Sequence, residues 1–80
     1  MSIIEELRRE YNILKTALDT CKLVLAEVIE AQEALGPDPE FDAIFVLKEA
    51  ECNYFISEAE EKLENLNREI ELMEAQTRDN

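Results

Sequence analysis

Several residue types that carry out chemistry are scarce or missing from this 80-residue chain. It has no histidine, so the commonest general base and the commonest transition-metal ligand are both missing. Its two cysteines, Cys21 and Cys52, are too few for a disulfide scaffold, and we interpret them as small apolar core residues. We therefore expect no catalytic residues, no metal site and no cofactor, and predict that the protein is not an enzyme.

Long apolar runs are also missing. No stretch approaches the roughly 20 apolar residues that a membrane-spanning helix needs. The first six residues do not place a basic region before an apolar one, as a signal peptide would. These absences predict that the protein does not enter a membrane and that it is cytoplasmic, either in its own cell or in an infected host.

Positive charge is scarce. Eight lysines and arginines face 20 acidic residues, which gives a net charge of -12. Such a charge repels nucleic acid and anionic lipid and favours a basic protein partner. We predict no nucleic-acid partner, and we single out a candidate acidic surface in the second half of the chain. It consists of Glu58, Glu61 and Glu64.

Glycine and proline occur only in the segment 36–39, which holds the one glycine and both prolines. Gly36 suits a helix end that needs a left-handed residue, and Pro37 cannot continue a helix. Asp38 is a natural N-cap, with Pro39 as a natural first helical residue. The sequence predicts helix 1 at about 3–35, a turn at 36–39 and helix 2 at about 39–76, within a single domain 1–80.

Both predicted helices carry an apolar seam whose members alternate in steps of three and four, which is the period of a coiled coil. The short turn requires the helices to pack antiparallel. The numbers of two residues that face each other across the hairpin sum to 73 or 74 in one possible register and to 77 in another. The sequence does not decide between these two registers. The helix 1 seam is Ile4, Leu7, Tyr11, Leu14, Leu18, Cys21, Leu25, Val28, Gln32 and Leu35. The helix 2 seam is Cys52, Ile56, Ala59, Leu63, Leu66, Ile70 and Met73.

Near the turn, apolar residues spread beyond what one seam can bury. Each gains about 1.5–3 kcal/mol when fully buried, and together they would form an unusually large exposed patch. We expect them to form a partner interface, with a second copy as the simplest partner in a four-helix bundle. A different protein is the next most favoured partner. The remaining alternative is that no partner is needed, because the helices bend or a terminal segment folds back and covers these residues. The residues are Leu23, Ile29, Ile44, Leu47, Tyr54 and Phe55.

Two polar residues interrupt the expected seam. Gln32 belongs to helix 1, and Lys48 is predicted to lie where helix 2 needs an apolar residue. Either could fix the register or the choice of partner, although Lys48 can also extend its amine to water. For a small ligand the chain offers few polar contacts, so none is expected. Those few are Tyr11, Lys22, Lys48 and Tyr54.

The fold class is thus predicted to be all-α, a coiled-coil-like antiparallel two-helix hairpin that dimerises into a four-helix bundle. Because the shape alone carries little functional information, two hypotheses remain. The first is an interaction or assembly module, such as an adaptor, a small chaperone or a scaffold subunit, that binds itself and another protein. The alternative is a small acidic inhibitor, of the kind viruses use, that mimics nucleic acid in a basic groove.

Overall fold

The computed structural model describes residues 2–78, which form two α-helices. Helix α1 spans Ile3–Leu35 and helix α2 spans Pro39–Arg78. The two helices pack against each other in a body 63 Å long and 16 × 15 Å across. The predicted all-helical hairpin is therefore confirmed. Neither helix, over the described residues, is long and apolar enough to cross a membrane.

Side chains at the two N-termini explain where the helices begin. The Ser2 hydroxyl accepts a hydrogen bond from the Glu5 amide at 3.1 Å, and the Asp38 carboxylate accepts one from the Glu40 amide at 3.0 Å. Each bond satisfies an amide that has no partner within its helix. The Asp38 contact falls at the cap that the sequence predicts, and α2 continues two residues beyond the expected end at Gln76.

Helix α1 ends because Gly36 takes a backbone conformation that other residues avoid. Its φ is +72° and its ψ is -171°, and its amide donates to the carbonyl of Gln32 at 3.2 Å. The positive φ was expected, but the ψ angle is extended rather than left-handed helical. The chain therefore leaves the helix in a sharp bend and can return along it at once.

The core consists of one cluster in the half of the hairpin remote from the turn. Leu18 and Ala59 are its most buried side chains, 2% and 3% exposed, and Leu63 joins them. Leu18 and Ala59 face each other only if facing residues sum to 77. An ion pair between Arg8 and Glu74 fits the same register. These two residues flank the seam, and their numbers sum to 82, five more than the level pairs. Side chains lean toward the N-terminus of their own helix, so two long side chains with this offset lean toward each other.

Burial is uneven along the hairpin. Five side chains are buried in the part of the chain that the structure describes, Leu18 and four residues in the interval 52–70. Between residues 22 and 51 no described side chain is buried. Even Leu35, predicted as the last seam residue of α1, is 57% exposed. The turn half is thus a pair of helices in contact without a closed core.

Lys48 does not occupy the seam, so that prediction was wrong. The steps of three and four continue backward from Cys52 to Glu49, and Glu49 is half-buried there. Lys48 lies one residue away and is exposed, with its amine 3.7 Å from a carboxylate oxygen of Glu51. The sequence pattern failed at this point because the true seam residue is itself charged.

Candidate interaction surfaces

The six apolar residues proposed as a partner interface are all exposed in the hairpin. Their exposure runs from 39% for Phe55 to 70% for Tyr54. They are not all on one face, however. Leu23, Leu47 and Tyr54 each lie two residues from a seam position on both sides, which at 3.6 residues per turn places them opposite the seam. Leu23 on α1 and Leu47 on α2 therefore point away from each other.

The two long edges of the hairpin, where residues flanking the seam of one helix meet those of the other, differ in chemistry. One edge, here called the Phe55 edge, is mainly apolar. It consists of the residues that come immediately before every second seam position. Its members are Ile3, Glu10, Ala17, Val24 and Ala31 of α1 and Phe41, Lys48, Phe55, Lys62 and Glu69 of α2.

A groove runs along the Phe55 edge. Glu10, Ala17, Phe55 and Lys62 all line it, which shows that these flanking residues of both helices meet there. The groove has a volume of about 450 Å³ and is open to solvent along its length. Its floor and remaining wall are formed by Ile13, Leu14 and Leu66.

A second groove of about 360 Å³ adjoins the first and shares Leu14, Phe55 and Lys62 with it. Sequence reasoning identified Phe55 but missed Ile13 and Ala17 in this region. The sequence did contain an indication of these residues, which is an apolar residue beside the two seam positions of a heptad. Helices that pack in bundles rather than in pairs use such a third apolar position.

The opposite edge, here called the Arg8 edge, is ionic over much of its length. Arg8 of α1 donates to the Glu74 carboxylate of α2. Lys15 pairs with Asp19 at 2.9 Å, and that hydrogen bond is the largest cause that raises the pKa of the lysine above its ordinary value. Arg8, Lys15 and Asp19 are exposed and Glu74 is half-buried, so most of the charge on this edge is in contact with water. Its members are Arg8, Lys15, Lys22 and Ile29 of α1 and Val46, Asn53, Glu60, Asn67 and Glu74 of α2.

The proposed acidic surface lies on the outward side of α2. Glu58, Glu61 and Glu64 are all exposed, and their spacing places them within about 120° of the helix circumference. Glu64 is engaged by Arg68, whose guanidinium lies 3.0 Å from the carboxylate. Glu58 and Glu61 also line the groove beside Phe55, so this acidic surface borders the apolar edge.

The two cysteines lie side by side in the seam, and both are free thiols. The Cys21 thiol donates to the Cys52 carbonyl oxygen at 3.8 Å. Burial raises the pKa of Cys21, and the neighbouring Cys52 adds to that increase. Among residues 2–78 no group of three or more potential metal ligands converges.

The fold and surfaces define an acidic antiparallel helical hairpin with one apolar and one ionic edge. Comparisons with known protein families, with curated proteins and with solved structures find no significant match for this chain. The function must therefore be argued from the hairpin itself.

Proposed function

We propose that this protein is a non-enzymatic interaction or assembly module that acts in the cytoplasm by presenting apolar helix surfaces to a protein partner. The observation that carries the proposal is the exposure of large apolar side chains around the turn half, where no side chain from residue 22 to 51 is buried. A second copy of the chain is the simplest partner, and it would give a four-helix bundle.

The physical argument rests on the cost of leaving these side chains in water. Ile44, Leu47 and Tyr54 are each about 60% exposed or more, and burial at an interface recovers a fraction of about 1.5–3 kcal/mol for each large apolar side chain. Soluble monomers seldom expose contiguous apolar patches of more than a few hundred Å². A partner that covers part of this surface stabilises both the complex and the loosely packed half of the hairpin.

The test is the solution mass of the purified chain, measured by light scattering on a sizing column together with any protein that copurifies. We expect a defined oligomer or complex that is lost when both Leu47→Asp and Phe55→Asp are introduced. The control Asn12→Asp with Asn53→Asp adds the same two charges at exposed polar positions and should leave it intact. If the apolar double variant kept the size and binding of the wild type, the proposal would be wrong.

A second candidate function is an acidic inhibitor that occupies the basic groove of a nucleic-acid-binding protein. It is supported by the net charge of -12 and by the shared outward face of Glu58, Glu61 and Glu64. Competition with duplex DNA for a set of DNA-binding enzymes would test it. Binding should weaken steeply with salt and disappear when the three glutamates are replaced by lysine. If the lysine variant still competed equally well, this candidate would be excluded.

A further inference from the structure

The groove along the Phe55 edge lies in the terminal half of the hairpin, and its apolar lining is open to solvent. Ile13 is 64% exposed and Phe55 is 39% exposed, whereas Leu14 and Leu66 are half-buried. The α2 residues that line this groove and the adjoining one extend from Phe55 to Leu66, about 17 Å along the helix axis. That length corresponds to about three turns of a docked helix.

Both walls of the groove carry glutamates. Glu10 lines it from α1, and Glu58 and Glu61 line the adjoining groove from α2. All three are exposed, and no ion pair within residues 2–78 engages any of them. Lys62 is the one basic side chain, among the described residues, that lines either groove. An apolar floor is thus bordered on both sides by carboxylates that have no cationic partner in the hairpin.

We propose that this groove binds one amphipathic helix of a different protein, with an apolar stripe that is flanked on both sides by lysine or arginine. The inference rests on the proposed function and names the chemistry of the partner. A helix satisfies its own backbone hydrogen bonds, which an extended segment cannot do against two helices whose main chains are already paired. The apolar stripe contacts Ile13 and Phe55, and the flanking cations pair with Glu10 on one side and Glu58 on the other.

Charge disfavours a second copy of the chain in this groove. Helix α1 has seven acidic residues against four basic ones, and α2 has eleven against four. Either helix of a second copy would therefore bring a net negative charge to walls that are already acidic, which is unfavourable. Self-association through apolar side chains of the turn half leaves the groove accessible, so the two contacts are compatible.

Synthetic peptides test the chemistry of the occupant. One is a helix of about 18 residues made of leucine and lysine, with the leucines in alternating steps of three and four so that they form one stripe. The other has glutamate in place of every lysine. Fluorescence anisotropy of the labelled peptides measures their dissociation constants for the full chain. We expect the lysine peptide to bind with an affinity that falls as salt rises, and the glutamate peptide to bind at least about tenfold more weakly.

Two exposed lysines show whether the groove is the site. Lys62→Gln removes the basic side chain from the groove and should tighten binding of the lysine peptide about threefold, as expected for one charge pair at a surface. Lys22→Gln changes the net charge equally on the opposite, Arg8 edge. At about 0.15 M salt a charge is screened beyond roughly 8 Å, so this variant should change the constant by less than about 1.5-fold.

Two exposed apolar residues of α1 form a second matched pair. Ile13→Ala shortens a side chain of the groove and should raise the dissociation constant of the lysine peptide at least about fivefold, because apolar area is then lost from the contact. Leu23→Ala shortens a side chain of similar exposure, 67% against 64%, on the outward side. It should leave the constant within about 1.5-fold, as for a residue outside an interface. Circular dichroism verifies that all variants keep the helical content of the wild type.

The outcomes separate this inference from the proposed function. Failure of the lysine peptide to bind, or equal binding of the glutamate peptide, would overturn the basic helix as the occupant. Equal effects of the two lysine variants, or of the two apolar variants, would overturn the groove as its site. The proposed function fails separately, without any peptide, if the Leu47→Asp and Phe55→Asp double variant keeps the size and binding of the wild type.

Discussion

At the scale of single residues, stability is concentrated in Leu18, the most buried side chain of the hairpin at 2% exposure. Leu18→Ala should lower the free energy of unfolding by about 2–3 kcal/mol, the lower part of the range for buried leucines, because a small two-helix core can partly collapse around the cavity. Urea denaturation at one fixed protein concentration measures the change. Leu23→Ala, at a position 67% exposed, is the control and should change the value by less than about 0.5 kcal/mol. Equal losses in both variants would contradict the location of the core.

The second prediction at this scale concerns the reactivity of Cys21. Burial raises the pKa of its thiol and Cys52 adds to the effect, and only the thiolate reacts with alkylating agents. Alkylation of Cys21 should therefore be slower in the native chain than in the unfolded chain, with a pH profile displaced to higher pH. Iodoacetamide labelling followed by mass spectrometry, with and without urea, measures both profiles. Coincident profiles would show that the thiol is not desolvated.

The raised pKa of Cys21 also determines the direction in which the stability of the chain changes with pH. The folded chain favours the neutral thiol, so the contribution of Cys21 to stability is fully present below the pKa of an unfolded thiol. It declines as the pH rises above that value and is lost once the pH exceeds the raised pKa of the folded state. The chain should therefore become less stable on the alkaline side, and Cys21→Ala should reduce that decline.

At the scale of the elements, the turn depends on Gly36. Its φ of +72° with an extended ψ is a combination that L-residues other than glycine seldom adopt, at a cost of about 1–3 kcal/mol. A Cβ at this position would meet no atom within 4 Å, so Gly36→Ala should destabilise through backbone strain alone. Thermal melting measures the loss. A chemically synthesised chain with D-alanine at this position favours positive φ and should keep the wild-type melting temperature, whereas equal losses for both alanines would indicate a steric cause.

Most of the element structure could be predicted from the sequence because local chemistry determines it. Ser2 and Asp38 cap the two helices through short-range hydrogen bonds, and Gly36 ends α1. The register could not be predicted, since it depends on how Leu18 and Ala59 fit together across the seam. The seam near the turn was misplaced at Lys48 because Glu49, which occupies it, is charged.

At the scale of the whole molecule, the candidate surface was only partly predictable. The exposure of residues such as Leu47 and Phe55 could be predicted, because the sequence near the turn has more apolar residues than one seam can bury. Their division among different faces does not, because it requires the seam phase at each position and the orientation of the two helices. The chemical difference between the edges emerges only when Glu10, Ala17, Phe55 and Lys62 are seen around one groove.

The uneven burial of the hairpin predicts a concentration-dependent gradient of stability. The terminal half contains all five buried side chains, whereas residues 22–51 contain none. Amide hydrogens in helices that lack a closed core open with lower free energy than those around one. In dilute solution, hydrogen exchange should therefore be faster in residues 24–33 and 41–50 than in residues 11–20 and 53–66.

Raising the protein concentration should slow exchange in the turn half more than in the terminal half. A partner copy that binds only the folded chain stabilises it by mass action, and we expect it to cover exposed apolar side chains of the turn half. Hydrogen exchange followed by mass spectrometry at two concentrations measures both effects. The Leu47→Asp and Phe55→Asp double variant is the control and should show the gradient at both concentrations. Uniform protection that is independent of concentration would mean that the turn half is stable by itself, and its exposed apolar side chains would then have no role in association.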